Sequence, residues 1–331
     1  MQYRTLGRSG VRVSVIGFGG WGIGGRTASD TSYGPVDEET CAIALKTALD
    51  SGVTFFDTAP AYGDGRSERL IGAAVSDCRD NVVLATKIGY QHWQDAPDFS
   101  ENAAMRSLEG SLARLGTDRI DLLQLHSPPI DVIHSDNELF KRLRRLKEEG
   151  TVRAVGVSAK SPQDAMIAIE NVRPDAIQVN FNMLDMRADH CGLFDAASRA
   201  GVGVIVRTPL CFGFLSGRLT EQTDYPEGDH RNSWSVAQRK RWLDGAARMR
   251  AAVSREIEAA ETPVQTALRF CLTPDAVSAV IPGILTPDEA SENAAAGDMV
   301  SLSPNGYSRV RELNVETDFF LPPNQARAAV S

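Results

Sequence analysis

The chain contains 331 residues, 42% of them hydrophobic, and carries a formal net charge of −8. This length suits one α/β barrel as well as two smaller domains, and it is sufficient to bury a large core. The negative charge argues against a general surface for nucleic acid. No apolar run of about 18 residues is present that could span a membrane.

The N-terminal segment and the cysteines indicate the compartment. Residues 1–10 lack the apolar core of a signal peptide and lead directly into strand-like sequence. The five cysteines are scattered, without CxxC or metal-ligand spacing. We therefore expect free thiols, no metal site and a cytoplasmic location. Nothing in the sequence defines the oligomeric state.

The chain opens with a predicted β-hairpin, in which residues 3–6 and 11–13 flank the turn sequence Gly-Arg-Ser-Gly. A further strand starts at residues 15–18 and runs into a glycine-rich stretch.

That stretch, residues 17–22, reads GFGGWG and formally matches the dinucleotide-binding pattern GxGxxG. A true fingerprint opens a helix at once and is followed by an acidic residue about 20 positions later. Here polar sequence continues to Pro35, and the next strand ends only at Asp57. We therefore interpret these glycines as a rim loop.

From Asp37 onward, predicted helices alternate with predicted strands. The strands are predicted at residues 54–56, 82–86, 120–125, 152–158, 176–180, 203–207 and 277–281. The helices are predicted at residues 37–52, 67–75, 100–116, 136–150 (opened by Asp136), 234–260 and 263–273, and after the caps Ser161 and Thr286. Residues 220–233 are polar and are interpreted as a long surface loop.

Eight strands that alternate with helices predict a TIM (β/α)8 barrel. We expect one domain over residues 1–331, with the N-terminal hairpin at residues 1–13 and a C-terminal tail at residues 301–331.

Three of the predicted strands end in an ionisable residue. Asp57, Lys87 and His126 follow the second, third and fourth barrel strands, and Tyr62 lies on a tight loop shortly after Asp57. The carboxyl ends of barrel strands meet at one rim, where the active sites of this fold lie. We therefore expect these four side chains to lie together.

The motifs around these residues resemble the aldo-keto reductases. They are FFDTAPAYG at residues 55–63, ATKIG at 85–89 and LLQLH at 122–126, and the likeness continues through residues 146–158, 178–182 and 209–218. In that family an Asp, a Tyr, a Lys and a His form the catalytic tetrad. The resemblance implies a NAD(P)-dependent oxidoreductase that transfers a hydride between nicotinamide and a small carbonyl or alcohol, namely an aldehyde, a ketone or an aldose.

The residue types suit this chemistry. No side chain supplies a hydride, so a nicotinamide is needed. Tyr62 would donate the proton, although a free phenol has a pKa near 10, and the ammonium of Lys87 would lower that pKa. Asp57 would hold Lys87 charged and in place. His126 would bind the substrate oxygen and stabilise its developing charge.

The resemblance also assigns cofactor contacts. Ser158 and Gln178 match residues that bind the carboxamide, and Arg207 stands where many members stack a Tyr on the nicotinamide. The remaining positions lie near the pyrophosphate, the adenine and the 2′-phosphate: Leu215, Gly217, Arg218, Gly283, Leu285, Glu289 and Asn293.

The expected cofactor is NAD(H) rather than NADP(H). Gly283 and Leu285 stand where relatives carry a cation for the 2′-phosphate, and Glu289 adds a negative charge. A capping box between Thr286 and Glu289 would also account for this carboxylate without any ligand. A cation from elsewhere, such as Arg207 or Arg218, could restore NADP binding.

Two other classes stay open. A cofactor-binding regulatory subunit, like the potassium-channel β subunits of this fold, would bind the cofactor but turn over slowly. A metal-dependent TIM-barrel hydrolase could use Asp57, Lys87 and His126, but residues 17–19 carry Gly-Phe-Gly in place of the usual HxH motif.

Trp21, His92, Trp93 and Trp234 lie on predicted rim loops. They are candidates to contact the substrate, and packing elsewhere or exposure to solvent is an equal alternative.

Overall fold

The computed structural model describes residues 1–27, 32–135 and 137–328. Its centre is a barrel of parallel strands that pair in chain order. They are β3 (Phe18–Gly19), β4 (Phe55–Asp57), β5 (Val83–Ile88), β6 (Ile120–His126), β7 (Val152–Ser158), β8 (Ala176–Asn180), β9 (Gly203–Arg207) and β10 (Val277–Ile281). Parallel bridges from Ile16 to Val280 and from Gly19 to Gly283 bring the last strand to the first. The predicted TIM barrel is confirmed.

Helices surround the barrel. They are α1 (Glu38–Asp50), α2 (Arg66–Val75), α3 (Glu101–Leu115), α4 (Ile130–Ile133), α5 (Glu138–Glu148), α6 (Pro162–Asn171), α7 (Arg187–His190), α8 (Leu193–Ala200), α9 (Val236–Ala252), α10 (Pro263–Leu272), α11 (Pro287–Ala295), α12 (Pro304–Glu316) and α13 (Pro323–Ala326). Capping side chains fix several of the starts, because each satisfies a backbone N–H that the first turn leaves free. Asp37, Ser100 and Ser161 accept such bonds as predicted. Across the described ranges, no helix combines the length and the apolar character needed to cross a bilayer.

The N-terminal hairpin, β1 (Tyr3–Thr5) and β2 (Arg12–Ser14), is antiparallel and belongs to the barrel's core. Its apolar side chains join a buried layer inside the barrel, made of Leu6, Val11, Val13, Phe55, Val83, Ala85, Leu122, Ala154, Ala176, Ile205, Ala279 and Ile281. The turn approaches the barrel backbone closely. Gly7 has φ 53°, and a Cβ there would lie 2.4 Å from the backbone nitrogen of Gly203. A side chain at this turn would therefore displace the hairpin.

Two helices differ from the sequence expectations, and the C-terminal tail contains helices that the sequence did not predict. The residue predicted to open α5, Asp136, lies outside the described residues, and Asn137 caps that helix. The helix predicted over residues 234–260 spans only Val236–Ala252, and a short 3-10 turn at Ser254–Glu256 follows it. The tail at residues 301–331 is largely helical where it is described. It is held to α9 by Gln238, whose amide donates to Phe319 O at 2.9 Å and accepts from Leu321 N–H at 2.7 Å. The assignment of the whole chain to one domain stays a prediction.

Candidate active site

Three adjacent strands deliver three ionisable side chains to one end of the barrel. Asp57 is the last residue of β4, His126 is the last of β6, and Lys87 precedes the last residue of β5. β5 pairs with both β4 and β6, so the three residues lie side by side. The sequence pattern predicted that these three residues lie together because their strands are neighbours, and the structure brings them together.

Tyr62 reaches the same rim from the tight turn between β4 and α2. The turn depends on Gly63, which has φ 61°, and a Cβ there would lie 2.0 Å from Gly24 O. Because only glycine suits this conformation and this close approach, the loop that follows Tyr62 is fixed in place.

Lys87 and Asp57 form a buried ion pair. Lys87 Nζ donates to Asp57 Oδ1 at 2.5 Å and to the backbone oxygen of Thr58 at 2.8 Å. The Lys87 side chain is 0% exposed and that of Asp57 is 2% exposed. Burial disfavours the ammonium, but Asp57 and Tyr62 outweigh it and raise the pKa of Lys87 above its ordinary value. Lys87 is therefore charged throughout the physiological pH range.

The Lys87 ammonium lies against the phenol. Its Nζ is 4.8 Å from the centroid of the Tyr62 ring. Burial raises the pKa of Tyr62 above its ordinary value, and the charge of Lys87 opposes this rise without cancelling it. The sequence expectation that Lys87 lowers the pKa is right for that one interaction but wrong for the net shift, because burial has the larger effect.

His126 is held among aromatic rings. Its ring centroid is 5.7 Å from that of Tyr62 and 4.8 Å from that of Trp93, both in edge-on contact. Burial, together with the positive charges of Lys87 and Arg207, holds the pKa of His126 well below its ordinary value. Within the described residues, its buried Nδ1 has no hydrogen-bond partner. The imidazole is therefore neutral at physiological pH.

A cavity of about 440 Å³ opens above these groups. Of the residues singled out from the sequence, the following line it: Trp21, Asp57, Tyr62, Trp93, His126, Ser158, Gln178, Arg207, Arg218, Gly283, Leu285, Glu289 and Asn293. Leu215, Gly217 and Lys87 are not among its lining residues, and Lys87 lies beneath Tyr62.

Two of the tryptophan and histidine candidates lie elsewhere. His92 is half-exposed, and its Nδ1 lies 2.7 Å from Asp64 Oδ1, outside the lining of the cavity. Trp234 packs edge-on against Trp242, with ring centroids 5.0 Å apart. Of these four candidates, Trp21 and Trp93 line the cavity.

The middle of the cavity carries polar groups from β7, β8 and β9. Ser158 Oγ donates to Gln178 Oε1 at 3.1 Å. Arg207 Nη2 donates to Ala159 O at 3.0 Å, while Arg207 Nε is buried and has no hydrogen-bond partner in the described part of the chain. Burial lowers the pKa of Arg207 from its ordinary value. An orphaned guanidinium nitrogen beside this cavity fits a site that receives a polar ligand.

The far end of the cavity carries a charge cluster. Arg218 donates to Glu292 at 2.6 Å and to Glu289 at 3.4 Å. The other oxygen of Glu289 accepts from the backbone N–H of Leu285 at 2.7 Å.

This geometry corrects the expected capping box. Thr286 Oγ1 does accept from the N–H of Glu289, but the Glu289 carboxylate binds Leu285 and Arg218 instead of the N–H of Thr286. Glu289 is turned towards the cavity, where Arg218 can reach it.

Two features of the site were not predicted from the sequence. Residues 220–233, interpreted as a surface loop, contribute Arg231 to the cavity lining and contact the rim: His230 N donates to Ser32 O at 2.9 Å, and its ring lies 4.9 Å from that of Trp21. No local pattern shows a contact between segments so far apart. The second feature is Gln124, which binds Asp57 Oδ2 at 2.8 Å. The alternation of side chains along a strand places Gln124 on the same face as His126, so this signal was present in the sequence.

The family model described as the aldo/keto reductase family matches residues 15–315. The chain therefore belongs to the aldo/keto reductase family, an oxidoreductase family that uses nicotinamide cofactors and that also includes probable potassium-channel β subunits. It is 35% identical over 251 residues to aldo-keto reductase YhdN of Bacillus subtilis, covering 74% of this chain and 72% of that one. It is 30% identical to L-galactose dehydrogenase of Arabidopsis thaliana, covering 89% and 88%.

Solved structures agree with this assignment. The holo form of aldo-keto reductase AKR11C1 from Bacillus halodurans superimposes with a TM-score of 0.76 at 27% identity, covering 95% of this chain and 96% of that chain. The roles of the individual site residues stay predictions.

A first prediction concerns the protonation of His126. Because burial and two neighbouring cations lower its pKa, the ring should remain neutral at about pH 6, where a free histidine is largely protonated. Ring ¹⁵N chemical shifts measured across a pH titration test this, and the His126→Asn protein identifies the signal by its loss. A protonation midpoint at about 6.5 or above would contradict the prediction.

Proposed function

We propose that this chain is a NAD(P)-dependent oxidoreductase that transfers a hydride between nicotinamide and a carbonyl or alcohol carbon, with Tyr62 as the general acid and base. The observation that carries the proposal is the buried ammonium of Lys87, which is bonded to Asp57 and lies against the Tyr62 ring. An ammonium in this position is costly to bury. It has a chemical use there, because it stabilises the phenolate that remains after Tyr62 gives up its proton.

The cavity suits a dinucleotide. Ser158 and Gln178 would bind the carboxamide, and Arg207, which has a buried N–H without a partner, would lie against the ring. At the far end, Asn293 is buried and lines the cavity beside Arg218. A bound nicotinamide would supply or accept the hydride.

The side chains divide the proton chemistry between them. In reduction, Tyr62 would donate its hydroxyl proton to the carbonyl oxygen, and Lys87 would stabilise the resulting phenolate. Asp57 would keep Lys87 protonated. His126 is neutral and has one N–H, so it can donate a hydrogen bond to the same oxygen. It is a poor proton donor, because giving up that proton would leave an imidazolate, and this favours Tyr62 as the acid.

Of the two alternative classes, the metal-dependent hydrolase is the less well supported. A metal-dependent hydrolase needs a ligand set, and the described residues contain no group of three or more His, Cys, Asp or Glu side chains that could hold a metal ion. A regulatory subunit would bind the cofactor without appreciable turnover, which the experiment below distinguishes.

The central test is Tyr62→Phe. Since general acid catalysis contributes about 10²- to 10⁴-fold, kcat should fall at least about 100-fold, while the Kd for the reduced cofactor stays within about twofold. Steady-state kinetics and cofactor fluorescence measure the two quantities. Tyr90→Phe is the matched control, because Tyr90 packs 5.7 Å from the His126 ring but does not line the cavity.

A near-normal kcat in Tyr62→Phe would remove Tyr62 as the general acid. A wild-type protein that binds the cofactor but reduces no carbonyl compound would instead support the regulatory class.

We further infer that NAD(H) is preferred over NADP(H). Arg218 is the cation at the far end of the cavity, and two carboxylates, Glu289 and Glu292, already neutralise it. A 2′-phosphate, with its charge of roughly −1.5 to −2, would meet a net negative cluster. Gly283 has no side chain, yet there is room for one, because a Cβ at this position would contact only the Tyr33 ring, at 3.9 Å. A cationic side chain would fit here, and this chain has none at this position.

The cofactor preference predicts kcat/KM at least about tenfold higher with NADH than with NADPH, a difference of about 1.4 kcal/mol. Gly283→Lys should raise kcat/KM with NADPH about fivefold or more by adding the missing charge. Gly283→Met, of similar length without charge, is the control and should give no such gain. A tenfold preference of the wild type for NADPH would overturn the inference.

The substrate is proposed to be an uncharged aldehyde, ketone or aldose. Three arginines line the cavity, and two of them are committed to carboxylates: Arg218 as described, and Arg231 in a bidentate pair with Asp229. Arg207 is assigned to the cofactor. The residues outside the described ranges include no Lys or Arg. Near the reacting groups, the cavity is lined by the Trp93 ring. An anionic substrate would therefore meet no cation that is free to bind it.

A cavity without a free cation should discriminate within a matched pair of substrates. We expect kcat/KM at least about tenfold higher for glyceraldehyde than for glyceraldehyde 3-phosphate, because the phosphate would be desolvated without a partner. Glyceraldehyde is chosen since it is too short to close into a stable ring. The comparison is made at two ionic strengths, and a higher kcat/KM for the phosphorylated aldehyde would refute the proposal.

A further inference from the structure

We propose that Gln124 is a positioning residue for the reaction: its side-chain amide holds the Asp57 carboxylate in the orientation that directs it at Lys87. This inference rests on the proposed function, in which Lys87 acts on Tyr62. Gln124 does not line the cavity, so any effect on turnover must pass through its hydrogen-bond partners Asp57 and Gln178.

The barrel places Gln124 beside the ion pair. Side chains along a strand alternate between its two faces, so Gln124 shares the interior face of β6 with His126. In the sheet, Gln124 is the register partner of Lys87 on β5 and of Gly156 on β7. Gly156 leaves the room for it, because a Cβ there would approach Gln124 Cγ to 3.0 Å. Gln124 is fully buried.

The hydrogen bonds settle how the amide is oriented. Asp57 Oδ2 accepts from Gln124 Nε2 and from Gln178 Nε2, each at 2.8 Å. An ionised carboxylate only accepts, so both amides must present their N–H groups to it. Gln124 Oε1 is then free to accept the second N–H of Gln178, at 3.2 Å. Asp57, Gln124 and Gln178 thus form a closed triangle of hydrogen bonds, in which the orientation of each amide is fixed by the other two side chains.

This triangle restricts the carboxylate. With Oδ2 held by two donors, Asp57 cannot rotate without breaking bonds that no water replaces in a buried site. Oδ1 is therefore kept facing Lys87 Nζ at 2.5 Å. Loss of Gln124 would leave Oδ2 with one donor and allow the carboxylate to turn.

The same triangle joins two parts of the site. Gln178 also accepts a hydrogen bond from Ser158, at the end of the cavity proposed to hold the carboxamide. Gln124 thus lies between the residues assigned to the cofactor and the residues assigned to the proton. A buried amide with a merely structural role would affect stability alone, whereas a positioning residue would affect turnover and its pH dependence.

The test is Gln124→Met in the full-length enzyme, since Met is unbranched and fills a similar volume without donor or acceptor. We expect kcat to fall about tenfold or more, with KM for the carbonyl substrate within about twofold. The alkaline limb of the kcat/KM profile should move to lower pH by about half a unit or more, because a displaced Asp57 no longer helps Lys87 to keep its proton.

Gln124→Leu gives a second test of the inference, because Leu also has neither donor nor acceptor but differs from Met in shape. It should lower kcat and move the same limb to lower pH, as in Gln124→Met. Leu122→Met is the matched control: Leu122 is buried on the same face of β6, one layer deeper in the apolar core. Its kcat and pH profile should match those of the wild type.

The outcomes are distinct. A shift of the limb to lower pH in both Gln124→Met and Gln124→Leu supports the positioning role. A lower Tm with unchanged kcat and pH profile in Gln124→Met overturns it and makes Gln124 a structural residue. If Gln124→Met does not fold, an unshifted limb in Gln124→Leu overturns it equally. Failure of the proposed function appears separately, as retained turnover in Tyr62→Phe.

Discussion

The buried charge on Lys87 is the constraint on which the rest of this site depends. An ammonium taken out of water loses several kcal/mol of solvation unless partners replace the water. Here Asp57 Oδ1 and Thr58 O accept from it, and the Tyr62 ring covers it. Each of these partners comes from β4 or from the turn that follows it. The polar groups of that turn must therefore lie where the pairing of β4 with β5 places Lys87.

The barrel supplies the low-polarity surroundings that make this charge effective. Directly below the polar rim, the interior is an apolar layer to which Phe55, Ala85 and Leu122 contribute, closed from the other end by the hairpin. In each of β4, β5 and β6, the residue two positions later is polar: Asp57, Lys87 and Gln124. Along each of these strands, the side chains change from apolar to polar between one inward-facing residue and the next. This change places the Lys87 charge where the apolar layer excludes water from one side and a ligand can approach from the other.

Sequence reasoning succeeded where contacts are local or follow from topology. β7, β8, β9 and β10 have the predicted ends, because each is a buried run between clear turn signals. It failed where the partner is remote in the sequence, as for the contact of His230 with Ser32 and of Gln238 with Phe319. Gln124 was missed for another reason. Alternation put it on the interior face, but only the structure shows that the side chain beside it is Asp57.

Burial and the charge of Lys87 shift the pKa of Tyr62 in opposite directions, and a general acid that releases its proton only during the reaction needs both effects. Burial raises the pKa of the phenol, so the proton stays on Tyr62 at neutral pH while no substrate oxygen draws it away. The same exclusion of water strengthens the attraction between Lys87 and any negative charge on the phenol oxygen. Such a charge arises only as the proton leaves. The Lys87–Tyr62 pair would therefore keep the proton on Tyr62 in the resting site and stabilise the loss of that proton during the proposed transfer. An exposed Tyr with an ordinary pKa does not combine these two properties.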